Sequence, residues 1–141
     1  MTVDVHTHLA SHRDVVPEED MMVDTMGRSG EAFQKTNAIA DYIEAIKPLD
    51  KAFLFGIAPR PWRPNQKMLT QSEDWAGMNH NDVAAKIAKA APDKIIPFMS
   101  LHPLDPNVND EYDRAVGDLG CKGIKLGPNY QDFDPLEDAA F

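Results

Sequence analysis

Apolar positions in this chain fall into short blocks whose period switches between two and about 3.6. The first block, Val3-Asp-Val-His-Thr-His-Leu9, alternates strictly. Successive side chains of a strand point to opposite faces, so Val3, Val5 and Thr7 share one face and Asp4, His6 and His8 the other. Residues 10–34 show no period and carry Pro17, Gly27 and Gly30, which predicts a long loop. From Thr36 to Lys47, Ile39, Tyr42, Ile43 and Ile46 fall at helical spacing, and Pro48 ends the run. Lys51–Ile57 is short, apolar and aromatic, as suits a strand covered on both faces in a parallel sheet.

The same alternation of periods continues. Residues 58–79 form a second long loop, stiffened by Pro59, Pro61 and Pro64. Asn79 and Asn81 are good cap residues for a helix to about Ala91, with Val83, Ala84, Ile87, Ala90 and Ala91 on its buried face. Lys94–His102 predicts a third strand, although Pro97 counts against a central position. A third helix over Val108–Leu119 presents Val108, Tyr112, Ala115, Val116 and Leu119, and Gly120 suits its C-terminal cap. Cys121–Gly127 predicts a fourth strand, with Ile124 and Leu126 on one face and Cys121, Gly123, Lys125 and Gly127 on a crowded polar one. Pro128–Asp134 predicts a loop and Pro135–Phe141 the start of a helix. Repeated strand–helix order means an α/β protein with parallel strands and right-handed crossovers, in a single domain over 1–141.

Composition narrows the partners. With 14 Lys and Arg against 23 Asp and Glu, the formal charge is -9, which argues against nucleic acid and anionic membrane. The lone Cys121 excludes an intrachain disulfide and fits a reducing compartment. No apolar run is long enough to span a bilayer. The first strand follows Met1 directly, without the n- and h-regions of a secretory signal, so a cytoplasmic protein is expected.

His6 and His8 are the first candidates for chemistry. At i and i+2 they lie about 6–7 Å apart along the strand, and rings leaning together over that gap can share one cation at about 2.0–2.1 Å. Asp4, on their face, is a candidate supporting acid. His102 ends the third strand, where it would touch substrate or cap the following turn. Arg60, Trp62 and Arg63 suit either carboxylate recognition, by guanidinium fork and aromatic wall, or simple packing. His12 and His80, in loops, are expected to be exposed. Cys121 reads as an inert core thiol.

Val3–Leu9 resembles the first-strand metal motif of the amidohydrolase superfamily. Gly120-Cys-Lys-Gly-Ile-Lys-Leu-Gly-Pro-Asn-Tyr-Gln131, preceded by Ser100-Leu-His-Pro103, resembles the amidohydrolase 2 branch, with its aminocarboxymuconate semialdehyde decarboxylase-like enzymes. The resemblance runs element by element along the chain. It implies a TIM (β/α)8 barrel whose active site lies at the C-terminal ends of the strands, with a divalent metal, often zinc, held in part by His6 and His8. The implied reaction is metal-assisted hydrolysis of a small organic substrate, the cation lowering the pKa of water. Non-oxidative decarboxylation of an aromatic or muconate-like acid on the same scaffold is the alternative. Lys125 becomes a candidate site lysine, against a packed stem with a paired ammonium.

A barrel takes about 250 residues, so these four strands make its first half, stopping at the start of the fourth helix. The remaining ligands, two histidines and an aspartate on later strands, are absent. Two imidazoles fall short of the three protein ligands typical of catalytic zinc. A catalytically silent half-barrel is therefore the third reading. Its two open edges would favour self-association or pairing with a missing C-terminal half.

Overall fold

A computed structural model describes residues 1–8, 39–62 and 78–137 of the chain. The predicted loop over 10–34, the first turn of the predicted helix at Thr36, His12, Arg63 and the helix expected to run on to Phe141 lie wholly or partly outside the described residues. In order, the elements are β1 (Val3–Thr7), α1 (Ile39–Ala45), β2 (Lys51–Leu54), α2 (His80–Ala90), β3 (Ile95–Pro97), β4 (Met99–Ser100), α3 (Val108–Gly117), β5 (Ile124–Lys125) and α4 (Pro128–Gln131). All strand pairs are parallel, which makes this the parallel α/β architecture expected, as a partial fold with few strands.

The expected run of four strands is not what forms. β1, β2 and β3 make one sheet, and β4 and β5 make another. The predicted strand Lys94–His102 is divided at Phe98 and contributes to both. Its pairing with β2 ends where Pro97 faces Leu54 and the Phe98 N–H donates to the Leu54 carbonyl at 2.9 Å. From there the segment turns to its other neighbour: Lys122 N–H donates to Pro97 O, and Met99 N–H to Gly123 O, both at 2.9 Å.

The helices cover one face of these sheets. Ala52, Leu54 and Ile95 meet Ile46 of the α1 end and Val83, Ala84, Ile87 and Ala88 of α2 in one core cluster. Met99, Leu101 and Cys121 meet Ala115 of α3 in a second. The apolar stripe of α2 is used nearly as its spacing predicts, with Asn79 as the N-cap accepting from the Asn81 N–H. The end of α1 is closed by Lys94, whose ammonium donates to Lys47 O at 2.6 Å and to Leu49 O. In α3 only Ala115 is fully buried, while Tyr112 and Val116 are exposed. Gly120 adopts φ 72°, which returns the chain so that Cys121 N–H reaches Ala115 O at 2.9 Å. The Pro128–Gln131 turn of helix stands where a loop was expected, with proline at its first turn.

Two expectations about faces are corrected. Strict alternation in β1 is broken: Asp4 pairs with Ala52 but Thr7 with Leu54, so β1 spends three steps against two. This bulge, on a strand that pairs only with β2 among the described residues, leaves Val5 62% exposed. The inner face of β5 is crowded as predicted, but by aromatic rings. A Cβ on Gly123 would lie 2.1 Å from the Phe98 ring, which stacks on Phe53 at 4.7 Å. Cys121 is buried, and burial pushes its thiol up from the ordinary range, as an inert core thiol should be.

Candidate metal centre

The β1 bulge and β2 together build the centre of the site. Thr7 fastens β1 on the helix side: its hydroxyl donates to Phe53 O at 2.6 Å and accepts from the Tyr42 phenol at 2.6 Å. On the opposite face His6 and His8 turn toward each other, ring centroids 5.0 Å apart and Nε2 atoms 3.0 Å apart. Both rings pack edge-on against Phe55, at 5.2 and 4.5 Å. Asp4 accepts the His6 backbone N–H at 3.0 Å, bracing the bulge.

The His8 Nδ1 lies 3.1 Å from Phe55 O. A carbonyl only accepts, so Nδ1 carries the proton and Nε2 is left with its lone pair aimed at His6. Such an outer hydrogen bond is how a ligating histidine is oriented and its tautomer selected. The donor set fits a divalent cation. With their Nε2 atoms 3.0 Å apart, His6 and His8 would hold the ion between them, and the ion would supply Lewis-acid polarisation there. With no ion the pair is satisfied by one N–H···N hydrogen bond. Among the described residues no group of three or more His, Cys, Asp or Glu converges on one point.

The other predicted residues are distributed around this pair. Lys125 joins it, its ammonium 5.4 Å from the Phe55 ring centroid on the ring that both histidines touch. His102 is 2% exposed and committed to the backbone: Nε2–H donates to Gln131 O at 2.8 Å and Nδ1 accepts the Leu104 N–H at 3.2 Å. Of the two roles expected for it, this is the turn-capping one. Trp62 is half-exposed and meets the His102 ring edge-on at 5.3 Å. Arg60 is half-buried in the segment after β2. The structure thus brings together His6, His8 and Lys125, and separately Trp62 and His102.

His80 is a correction. Expected exposed in a loop, it is 9% exposed at the first position of α2, and burial holds its imidazole below the ordinary histidine pKa. Its Nε2–H donates to Ser100 O at 2.7 Å. Beside it Asn81, fully buried, accepts the Ser100 N–H at 2.8 Å and donates to Ser100 O and to Glu111. Ser100 Oγ accepts the Ala58 N–H at 2.9 Å. Gln131, 1% exposed, accepts the Gly127 N–H at 2.6 Å and donates to Leu101 O at 2.9 Å and Ala58 O at 3.3 Å. These four polar side chains fill the gap where β2 and β4 part, replacing ladder hydrogen bonds with side-chain ones. A cavity of about 350 Å³ opens beside them, lined by His80, Ser100, His102, Asp105 and Glu111 among others. Sequence reasoning missed Asn81 except as a cap, and missed Ser100 and Gln131. Their partners lie up to 73 residues away, where no local pattern reports them.

The fold resembles part of several solved enzymes. Over 99% of its length the chain superposes on 5-carboxyvanillate decarboxylase from Novosphingobium aromaticivorans, with a TM-score of 0.68 and 18% identity. That protein was solved with manganese and 3-methoxy-4-hydroxy-5-nitrobenzoic acid bound. It also superposes over 99% on 4-oxalomesaconate hydratase from Rhodopseudomonas palustris, with a TM-score of 0.56 and 16% identity. Over 87% it superposes on a 2,6-dihydroxybenzoate decarboxylase complexed with 2,6-dihydroxybenzoate, with a TM-score of 0.51 and 21% identity. The chain has the fold of part of these barrel enzymes. It spans 46%, 45% and 38% of the hydratase, the carboxyvanillate decarboxylase and the dihydroxybenzoate decarboxylase. Their fold is the one implied by the resemblance of Gly120–Gln131 to the amidohydrolase 2 branch and of Val3–Leu9 to the first-strand motif of the wider superfamily. No family model and no curated protein matches the chain. Among the described residues no helix is long and apolar enough to cross a membrane.

Proposed function

We propose that this chain is the metal-binding first half of an amidohydrolase-2 barrel acting on a small carboxylated organic acid, with non-oxidative decarboxylation as the favoured reaction. The observation that carries the metal reading is the 3.0 Å approach of the His6 and His8 Nε2 atoms, with His8 Nδ1 committed to Phe55 O. Decarboxylation is favoured because two of the solved neighbours are decarboxylases of aromatic acids and the third is a hydratase. Hydrolysis through an activated water, the first expectation from the motif, has support only from the superfamily and stands second.

When bound, a divalent cation supplies charge neutralisation and polarisation of a carboxylate or phenolate oxygen. Zinc and manganese both suit two imidazole nitrogens. The chain's own residues then divide the work. His6 and His8 hold the ion, and Phe55 O keeps the His8 proton on Nδ1. Lys125, above the Phe55 ring that both histidines touch, places positive charge beside the pair, where an acid substrate would bring its carboxylate. Phe55 and Phe98 give that face an aromatic wall. The rest of the ligand set comes from the complementary half-barrel, provided by further chain or by a second copy packed against the edges of β1 and β5 that no strand among the described residues covers.

Titration of the 141-residue protein with Mn(II) and Zn(II), followed by calorimetry, tests the reading. One ion per chain is expected, with affinity falling at least tenfold in His6→Ala and in His8→Ala. Absence of binding by the parent protein, or binding unchanged in both variants, would sink the assignment. With the complementary half supplied, carbon dioxide release from a hydroxybenzoate supports decarboxylation, and hydrolysis without it supports the second reading.

A further inference from the structure

The segment Phe55–Ala58 lies between the histidine pair and the polar wedge. On one side, Phe55 O takes the His8 Nδ1 proton at 3.1 Å, and Phe55 N–H donates to Thr7 O at 3.3 Å. On the other side no strand among the described residues pairs with it, the ladder between β2 and β3 having ended at Leu54. Side chains take the place of that ladder. Ser100 Oγ holds the Ala58 N–H at 2.9 Å, and Gln131 Nε2 holds the Ala58 carbonyl. Between them, Gly56 is pressed against α2: a Cβ there would stand 2.7 Å from the His80 Cβ and 3.3 Å from its carbonyl oxygen. His80 is in turn held by Ser100 O.

We propose that Ser100 and Gln131 are positioning residues for the His6–His8 pair, acting through Phe55–Ala58. Both are 1% exposed, so their hydrogen bonds meet no competition from water. A buried amide that bonds Gly127, Leu101 and Ala58 at once ties together the ends of three successive strand segments. If Ala58 is released on that side, the Phe55 carbonyl loses the restraint that keeps it in line with His8 Nδ1. The Nδ1–H tautomer of His8 then loses this stabilisation, and a share of the rings places the proton on Nε2, which removes the lone pair that a cation needs. The inference rests on the metal reading only for its consequence in affinity; the tautomer of His8 is a property of the protein without metal.

The test uses the full 141-residue chain and nitrogen-15 NMR of its histidine rings, with Zn(II) titration in parallel. Gln131→Met removes the donors and the acceptor at similar volume, Gln131→Glu keeps the acceptor for Gly127 and loses the donors, and Ser100→Ala deletes a single oxygen. Asp82→Asn serves as the control, loosening the contact between α2 and α3 away from Phe55. In the parent, His8 is expected as one tautomer with its proton on Nδ1. Gln131→Met, Gln131→Glu and Ser100→Ala are each expected to show a mixture, with Zn(II) affinity about tenfold lower, while the control matches the parent. Variants that keep one Nδ1–H tautomer overturn the proposal, whatever their melting temperature. If Gln131→Met fails to fold, Ser100→Ala decides the matter alone. A parent that binds no Zn(II) refutes the metal reading, yet the tautomer comparison still decides this one.

Discussion

Arg114 of α3 reaches across to Asp82 of α2, Nη1 to Oδ1 at 2.7 Å, with the side chains 33% and 29% exposed. Its Nε and Nη2 also take both oxygens of Glu111, at 2.8 and 2.9 Å. One guanidinium therefore joins two carboxylates on neighbouring helices, and Asn81 shares Glu111 at 2.7 Å. Arg114→Met leaves Asp82 and Glu111 facing each other without a counterion. A loss of about 2 kcal/mol is expected, because removing one partner of a partly desolvated network strands the others. The urea midpoint measures it, and Arg114→Lys should recover only part, since a lysine lacks the fork.

One buried group, His80, and one half-buried group, Glu111, shape the acid side of the stability profile. Burial holds the His80 pKa below its ordinary 6.5, against the opposing hydrogen bond to Ser100. Its contribution is therefore fully present above about pH 6.5 and is lost as pH falls from there toward the folded value, because the unfolded chain takes the proton first. For Glu111, burial alone would raise the pKa, but the hydrogen bonds from Arg114 and Asn81 outweigh it and hold the carboxyl below its ordinary 4.5. Its contribution is lost as pH falls below 4.5 toward the folded value. Unfolding midpoints should thus decline in two stages. His80→Gln should flatten the upper stage and Glu111→Gln the lower; a parent whose midpoint is constant from pH 7.5 to 5.5 contradicts the first assignment.

The Gly123–Phe98 contact leaves no room for a methyl group. Gly123→Ala places a Cβ 2.1 Å from a ring carbon that is itself stacked on Phe53, so the ring must move or β5 must retreat. Overpacking of this kind costs about 1–3 kcal/mol. Phe98→Leu in the same chain should recover most of it. If the double variant is no more stable than Gly123→Ala alone, the clash is not the cause.

Local pattern carried much of this fold. Val3–Thr7, Lys51–Leu54, the Asn79-capped α2 and the Gly120 turn all stand where alternation, helical spacing and cap chemistry place them, because those signals depend on residues a few positions apart. Lys51–Ile57 was legible as a short apolar strand, while its faces, with Ala52 and Leu54 toward the helices, came only from the structure. His6 and His8 were legible as a pair, and Lys125 as an inward residue by its parity with Gly123.

What the tertiary structure alone decided is how these pieces meet. The β1 bulge that turns His6 toward His8 depends on the register against β2, not on any residue within Val3–Leu9. The division of Lys94–His102 between two sheets depends on which neighbour supplies hydrogen bonds at each step, and Pro97 marked only that the strand was unusual. His80 read as an exposed loop histidine because nothing nearby announces Ser100, twenty residues on. Gln131 was legible only as the last residue of the Gly120–Gln131 motif, since its worth lies in three strand ends brought within reach of one amide. The chain by itself specified a parallel α/β protein with a histidine pair suited to a cation. Which nitrogen of His8 holds the proton, and which buried side chains keep it there, follow from backbone groups that only folding brings together.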